Sequence, residues 1–65
     1  MITLDPPELH EAALVSVEDG IAVYSSAAIV AWFAAQEGWS ELEALEWFDF
    51  NIARAYLGPG SPEYV

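Results

Sequence analysis

Arg54 is the only lysine or arginine in a chain of 65 residues that carries eleven aspartates and glutamates. The formal charge of −10 opposes compaction, because like charges gathered on a small surface repel one another. Chains with high charge and few hydrophobic residues remain disordered. Here, however, 55% of the residues are hydrophobic, with three each of Trp, Tyr and Phe. The chain is therefore expected to fold around an apolar core and to present an almost wholly anionic surface.

Length and composition predict a single small acidic domain spanning residues 1–65. With no cysteine, disulfides, thiolate metal ligands and a cysteine nucleophile are excluded, which suits a cytoplasmic protein. No basic and apolar leader opens the sequence, and its longest apolar run, 27–35, is too short for a membrane span. DNA, RNA and anionic membranes would repel the chain. The expected partner is a basic protein, bound by a monomer.

The N-terminal segment predicts a short helical turn that ends near Ala12. Asp5 stands before two prolines, as an N-cap residue often does, and acidic residues follow in the first turn. His10 is the only histidine and is flanked by Glu8 and Glu11. We therefore expect His10 to be a surface residue.

A β-hairpin is predicted around Asp19-Gly20. The residues on both sides, 13–17 and 21–24, are mostly β-branched and aliphatic, and an Asp-Gly pair tolerates positive φ at both central turn positions. Alternation along the first run is only partial, so the hairpin is expected to cover helices with one face. The last three residues follow a stretch rich in Gly and Pro, 58–62, and can pair as a short third strand.

The first long helix is predicted from about Ala27 to Glu37, with Ser25 or Ser26 as its N-cap and Gly38 as its terminator. It is apolar almost all round, so we expect it to be the buried centre of the domain. One side is a smooth stripe that would allow close approach of a neighbouring helix, formed by Ala27, Ala31, Ala34 and Ala35. The other side is filled by Ile29, Trp32 and Phe33.

The second long helix is predicted from the capping box Ser40-x-x-Glu43 to about Leu57. Its apolar face follows i, i+3, i+4 and i+7 spacing and comprises Ala44, Leu45, Phe48, Ile52, Ala55 and Tyr56. The predicted fold class is α+β, in which a β-hairpin packs against an antiparallel helix pair and a short third C-terminal strand can extend the hairpin.

Two aromatic residues of this helix lie away from its apolar face. Trp47 falls on the flank and Phe50 nearly opposite, among the carboxylates of Glu43, Glu46 and Asp49. An aromatic pair ringed by acids has the composition of an interface anchor with a polar rim. Two structural alternatives stay open: the N-terminal segment folds over these aromatics, or Phe50 stacks under the Arg54 side chain.

Residue patterns for catalysis are weak. Paired carboxylates such as Glu43 and Glu46 can serve glycoside hydrolysis, but that reaction also needs a cleft, which a domain this small rarely provides. No glycine-rich phosphate loop, Ser-His-Asp set or calcium-loop spacing is present. Loose carboxylate clusters are a weak indication of metal binding. We expect neither an enzyme nor a cofactor.

The C-terminal part of the chain resembles a family of small proteins from phages and mobile elements. The matching residues are Glu43-Ala44-x-Glu46-Trp47-x-x-Phe50-Asn51-x-x-x-Ala55-Tyr56-x-Gly58-x-x-Ser61-Pro62. Members read acid-aromatic-Phe-acid-Phe-Asn, then Gly-Ala-Tyr, Gly and Thr-Pro before a short terminal strand. The resemblance covers about the last 25 residues, and Arg54 replaces the usual glycine. It implies that Asn51 caps or braces the backbone.

Size, charge and this phage-like pattern together resemble the small acidic anti-CRISPR inhibitors of type I systems, type I-C among them. The resemblance implies a protein of the infected bacterial cytoplasm that occupies a basic DNA-binding surface of the CRISPR surveillance complex. Carboxylates can compete with phosphates for the same Lys and Arg side chains. The expected partner-binding residues are Glu18, Asp19, Glu37, Glu41, Glu43, Glu46, Trp47, Asp49 and Phe50.

Two other classes remain open. An antitoxin-like or accessory protein that binds a specific basic partner would depend more on Trp47 and Phe50. A salt-adapted protein would use its acidic surface without any partner, although three tryptophans in so small a chain do not follow from salt adaptation.

Overall fold

The computed structural model describes residues 1–55 and 58–65, which form three α-helices, a π-helical segment and a three-stranded sheet. The helices are α1 (Pro7–Ala13), α2 (Ser26–Glu37) and α3 (Glu41–Phe48), and the strands are β1 (Leu14–Glu18), β2 (Ile21–Tyr24) and β3 (Glu63–Tyr64). The π-helical segment, Asp49–Ala53, continues α3. The predicted α+β class, with a hairpin packed against helices, is confirmed.

The hairpin of β1 and β2 forms where the sequence predicts it. Asp19 and Gly20 have φ angles of 53° and 76°, so both central turn residues adopt the left-handed conformation that an Asp-Gly hairpin turn requires. The register shifts between Leu14 and Ser16, which leaves Val15 as an extra residue in β1. This irregularity of the β-bulge type explains why alternation along the first strand is incomplete.

The predicted third strand is also present, and it makes β2 the central strand. The sheet order is β1-β2-β3, with β3 parallel to β2 and Tyr64 opposite Tyr24. The Val65 N–H donates to the Tyr24 carbonyl at 2.9 Å, and the Ser26 N–H donates to the Val65 carbonyl at 2.9 Å. Because β2 is paired on both edges and covered by helices, three successive residues, Ala22 to Tyr24, are buried.

Helix α1 begins one residue later than the Asp5 cap predicts. Pro6 is the N-cap residue, with an extended ψ of 171° and no side-chain cap. A residue that precedes proline is held in the extended region, so Pro7 prevents Pro6 from joining the helix and Asp5 cannot act as its cap. The helix ends at Ala13, and Leu9 and Ala13 are its buried residues.

The caps of α2 and the capping box of α3 are confirmed. The Ser25 side chain accepts from the Ala28 N–H at 3.1 Å, and Gly38 ends α2 with a φ of 68°. At the start of α3, the Ser40 hydroxyl accepts from the Glu43 N–H at 3.2 Å, while Glu43 Oε1 accepts from the Ser40 N–H at 3.1 Å.

The prediction of one regular α-helix from Ser40 to about Leu57 is wrong over 49–53, where the helix widens into the π-helical segment. The last predicted turn includes Tyr56 and Leu57, which lie outside the described residues. On the predicted apolar face, Ala44 and Phe48 are buried and Ile52 is half-buried, whereas Leu45 and Ala55 are exposed.

The prediction that α2 is the buried centre of the domain is wrong for its alanine side. Only Ile29 and Val30 of this helix belong to the buried core, and Ala27, Ala31 and Ala35 are exposed. A domain of this size has too little chain to enclose a whole helix. Leaving alanine methyl groups in water costs less than leaving larger side chains there. The core comprises Leu9, Ala13, Ala22, Tyr24, Ile29, Val30, Ala44 and Phe48.

Candidate functional site

An aromatic cluster joins the end of α2 to α3. The Trp47 ring lies 4.5 Å from the ring of Phe33 and 6.1 Å from that of Trp39, while Phe33 and Trp39 are stacked at 6.4 Å. These separations lie in the range where aromatic pairs attract beyond their buried area. One side of Trp47 is therefore held in the fold, and 36% of the residue remains exposed.

The exposed side of this cluster forms a shallow cavity of about 380 Å³, lined by Trp39, Glu43, Glu46, Trp47 and Phe50. We refer to these five residues as the acidic aromatic face. Trp39, Trp47 and Phe50 provide its aromatic surface, and the exposed carboxylates of Glu43 and Glu46 stand at its rim. The sequence predicts four of its members; Trp39 was missed because a residue between two helices has no helical phase from which to place it.

The π-helical segment determines how Phe50 is presented. The Asn51 side-chain amide donates to the Trp47 carbonyl at 3.0 Å, the acceptor that the Asn51 backbone N–H would use in a regular α-helix. Asn51 thus braces the backbone where the helix widens, as the sequence resemblance implies. Phe50 follows directly on the first residue of this segment and is 68% exposed, so the N-terminal segment does not cover it.

Arg54 lies over this part of the molecule. Its guanidinium carbon is 5.1 Å from the centre of the Phe50 ring, and Nη2 donates to Asp49 Oδ2 at 3.1 Å. On an α-helix the facing pairs are three or four residues apart; Arg54 follows Asp49 by five, and the π-helical segment connects them. The interpretation that Phe50 stacks under Arg54 is confirmed, and Asp49, one of the predicted partner-binding carboxylates, has a cationic partner within the chain.

The other predicted binding residues are not part of the acidic aromatic face. Glu18 and Asp19 are exposed at the hairpin tip, where Glu18 accepts a hydrogen bond from the Ser16 hydroxyl at 2.9 Å. Glu37 and Glu41 are exposed at the end of α2 and the start of α3. They contribute to the general anionic surface.

The alanine stripe of α2 borders a second depression. This groove of about 690 Å³ is lined by Ser26, Ala27, Val30, Ala31, Ala34, Ala35, Glu41 and Leu45. The sequence predicts that a neighbouring helix packs closely along this stripe. Instead, α3 contributes only Glu41 and Leu45 to the groove. Most alanines of the α2 stripe are exposed to solvent.

His10 is not the surface residue that its acidic neighbours predict. It is half-buried, with Nδ1 2.6 Å from the Tyr24 hydroxyl and its ring edge-on to the Tyr24 ring. The same hydroxyl accepts from the Leu4 N–H at 3.0 Å. Tyr24 stacks on Tyr64, whose pKa is raised above its ordinary value by burial and, secondarily, by the charge that Tyr24 carries when ionised. This region supports the fold and is separate from the acidic aromatic face.

Within residues 1–55 and 58–65, no group of three or more His, Asp or Glu side chains is placed to hold a metal ion. In the same part of the chain, no helix has the length and apolar character needed to cross a membrane. The chain matches no protein-family model, no curated protein and no solved structure.

Proposed function

We propose that this chain is an acidic inhibitor that occupies the basic DNA-binding surface of a nucleic-acid-binding protein complex. The candidate target, taken from the sequence resemblance, is the surveillance complex of a type I CRISPR system. One observation carries the proposal. Ten of the eleven acidic residues are exposed, and among the described residues the only ion pair is between Arg54 and Asp49. The remaining carboxylates have no cationic partner among the described residues, although Glu18 and Glu43 accept hydrogen bonds from Ser16 and Ser40.

The spacing of carboxylates on α3 supports competition with DNA. Glu41, Glu43 and Glu46 span five helical rises, or about 7.5 Å along the axis, which is an average axial advance of about 4 Å per charge, and their side chains project on different sides of the helix. Phosphates of one DNA strand advance by about 3.4 Å per step along the duplex axis. A helix with this charge density can engage Lys and Arg side chains that otherwise meet phosphates, through charge-assisted hydrogen bonds.

The test is target-DNA binding by a purified type I surveillance complex, with and without this protein. We expect the protein to reduce DNA binding, and its own affinity for the complex to fall steeply with salt because both molecules are highly charged. Unchanged DNA binding at saturating protein would overturn the proposal for that complex.

Charge-reversal variants make the same assay specific to α3. Glu41→Lys combined with Glu46→Lys should abolish most of the inhibition. The control, Glu11→Lys combined with Glu63→Lys, changes the net charge by the same amount at exposed positions outside α3. It should retain more of the inhibition than the α3 double variant. Circular dichroism and thermal melting are the controls that check whether both double variants are folded. Equal losses in the two would indicate that total charge, rather than the carboxylates of α3, governs binding.

A second candidate function is that of an accessory protein, such as an antitoxin, that binds a basic partner through an aromatic centre. The exposure of Phe50 and of one side of Trp47 within the acidic aromatic face favours it. In this case Phe50→Ala should weaken binding by about 2 kcal/mol or more, while single charge changes mainly slow association. For DNA competition we expect the reverse order, with the paired charge reversals causing the larger loss.

A further inference from the structure

The acidic aromatic face combines two features that both bind cations. Its three aromatic rings present π surfaces, and Glu43 and Glu46 add two carboxylates beside them. Aromatic faces attract cations through the ring quadrupole, and carboxylates bind them through charge-assisted hydrogen bonds. A cation in this cavity can make both kinds of contact at once.

The chain provides its own example of this recognition on the adjacent part of the face. Arg54 is its only lysine or arginine, and its guanidinium lies over the Phe50 ring while donating to Asp49. The side chains of this ion pair are 64% and 49% exposed, so the arrangement forms at the surface without burial to enforce it. The same two kinds of group, an aromatic ring and a carboxylate, are both present in the cavity, where Trp47 and Glu46 line its wall.

We propose that the acidic aromatic face is the binding pocket for one arginine side chain of a partner protein. Arginine fits better than lysine because a planar guanidinium can stack on an aromatic ring while donating to carboxylates from its edge. The proposal rests on the proposed function, since it specifies which group of the basic partner this face receives. The charges at the hairpin tip and on α1 would then act mainly in long-range attraction.

The pocket is tested with short capped peptides that contain one arginine, one lysine or one citrulline. Binding is followed by NMR through the indole N–H signals of Trp39 and Trp47, with Trp32, which does not line the cavity, as an internal reference. We expect the arginine peptide to bind about threefold more tightly than the lysine peptide, and the uncharged citrulline peptide not to bind measurably.

Two charge-neutralising variants and one control locate the site. Glu46→Gln should weaken arginine binding about threefold, the magnitude of an exposed ion pair. Glu43→Gln should do the same while retaining the capping box, because Gln can still accept from the Ser40 N–H. Glu11→Gln removes the same charge outside the face and should leave the affinity nearly unchanged.

Arg54→Gln gives an effect that a loss of structure cannot imitate. Removing the chain's own guanidinium exposes the Phe50 ring further and makes the face more anionic, so the arginine peptide should bind about threefold more tightly. Weaker or unchanged binding by this variant, or equal losses in Glu46→Gln and Glu11→Gln, would overturn the pocket.

Failure of the arginine pocket is distinguishable from failure of the proposed function. If the arginine peptide does not bind but DNA binding by the surveillance complex is still inhibited, the arginine pocket is wrong and the inhibitor acts through its dispersed charge. If the peptide binds and DNA binding is undisturbed, the pocket remains and its partner is a different basic protein.

Discussion

Two aromatic regions of this small domain differ in how completely their rings are buried. Around Tyr24, which is completely buried, the hydroxyl pairs with Leu4 and His10 and the ring stacks on Tyr64. On the acidic aromatic face, by contrast, Phe50 is largely exposed, and its contact with Arg54 lies at the surface.

The difference follows from the charges beside each set of rings. The Tyr24 region is assembled from the N-terminal segment, β2 and β3, none of which brings a carboxylate into it. The acidic aromatic face has Glu43 and Glu46 at its rim. Burying an ionised carboxylate without a cationic partner is very costly, and Arg54 is the only lysine or arginine available in the chain. Any group that covered this face would have to carry positive charge, as the proposed partner does, whereas the Tyr24 region closes with the chain's own groups.

The largest expected effect is a loss of stability on truncating Phe48, compared with truncation of Phe50 two residues further along the chain. Phe48 is 5% exposed and packs edge-on against Tyr64, so Phe48→Ala should lower the free energy of unfolding by about 3 to 5 kcal/mol. Phe50→Ala should cost less than about 1 kcal/mol, because it removes only surface contacts. Urea unfolding at 25 °C measures both values.

Phe48→Leu extends this comparison if Phe48→Ala is unfolded at 25 °C, and it should give a smaller loss in the same direction. Similar losses for Phe48→Ala and Phe50→Ala would show that the open face is as much a part of the stabilising core as the closed region.

The next largest effect is expected for Tyr24→Phe. The substitution preserves the ring but leaves the Leu4 N–H and His10 Nδ1 without the hydroxyl, so the free energy of unfolding should fall by about 1 to 3 kcal/mol. A double-mutant cycle with His10→Ala measures the part that belongs to the His10–Tyr24 contact, and we expect a coupling of about 1 kcal/mol. Additive losses would mean that the two side chains are adjacent without stabilising each other.

Salt should raise the melting temperature. Repulsion among the exposed carboxylates opposes folding, and ions at physiological strength screen charges that are more than about 8 Å apart. We expect a gain of about 1 kcal/mol between 10 and 150 mM NaCl, or roughly 4 to 8 °C for a domain of this size. Scanning calorimetry measures it, with sucrose at equal osmolarity as the control. A melting temperature that does not depend on NaCl would contradict this expectation.

The smallest expected effect is alkaline destabilisation through Tyr64. Its pKa in the folded protein is raised, mainly by burial, so the folded state holds this proton more tightly than the unfolded state does. The resulting stabilisation is complete below the unfolded pKa of about 10 and is lost as pH rises through the folded value. Denaturant midpoints between pH 8 and 11 measure the loss, which Tyr64→Phe should reduce. An equal loss in the variant would assign the effect to other groups.

Features that depend on neighbouring residues could be predicted from the sequence. The turn at Asp19-Gly20, the Ser25 cap and the Ser40–Glu43 capping box each form within four residues, and their side chains either allow the required φ angles or bind the adjacent backbone. The same holds for the exposure of Phe50, which the helical phase of the predicted second helix indicates. Local geometry determines these features wherever the segment lies in the fold.

Features that depend on distant residues could not be predicted. His10 is half-buried because Tyr24, fourteen positions away, directs its hydroxyl towards it. Trp39 joins the acidic aromatic face because α2 and α3 bring Phe33 and Trp47 to it.

The sequence by itself determined the anionic surface, the caps of α2 and α3, the hairpin and four of the five residues of the acidic aromatic face, because charge and local backbone preference are properties of the residues themselves. Only the tertiary structure decided that the alanine side of α2 stays open and that the helix widens at Asp49–Ala53. Competition among all the apolar surfaces determines which of them a small domain can cover. That competition is resolved only when the whole chain has packed.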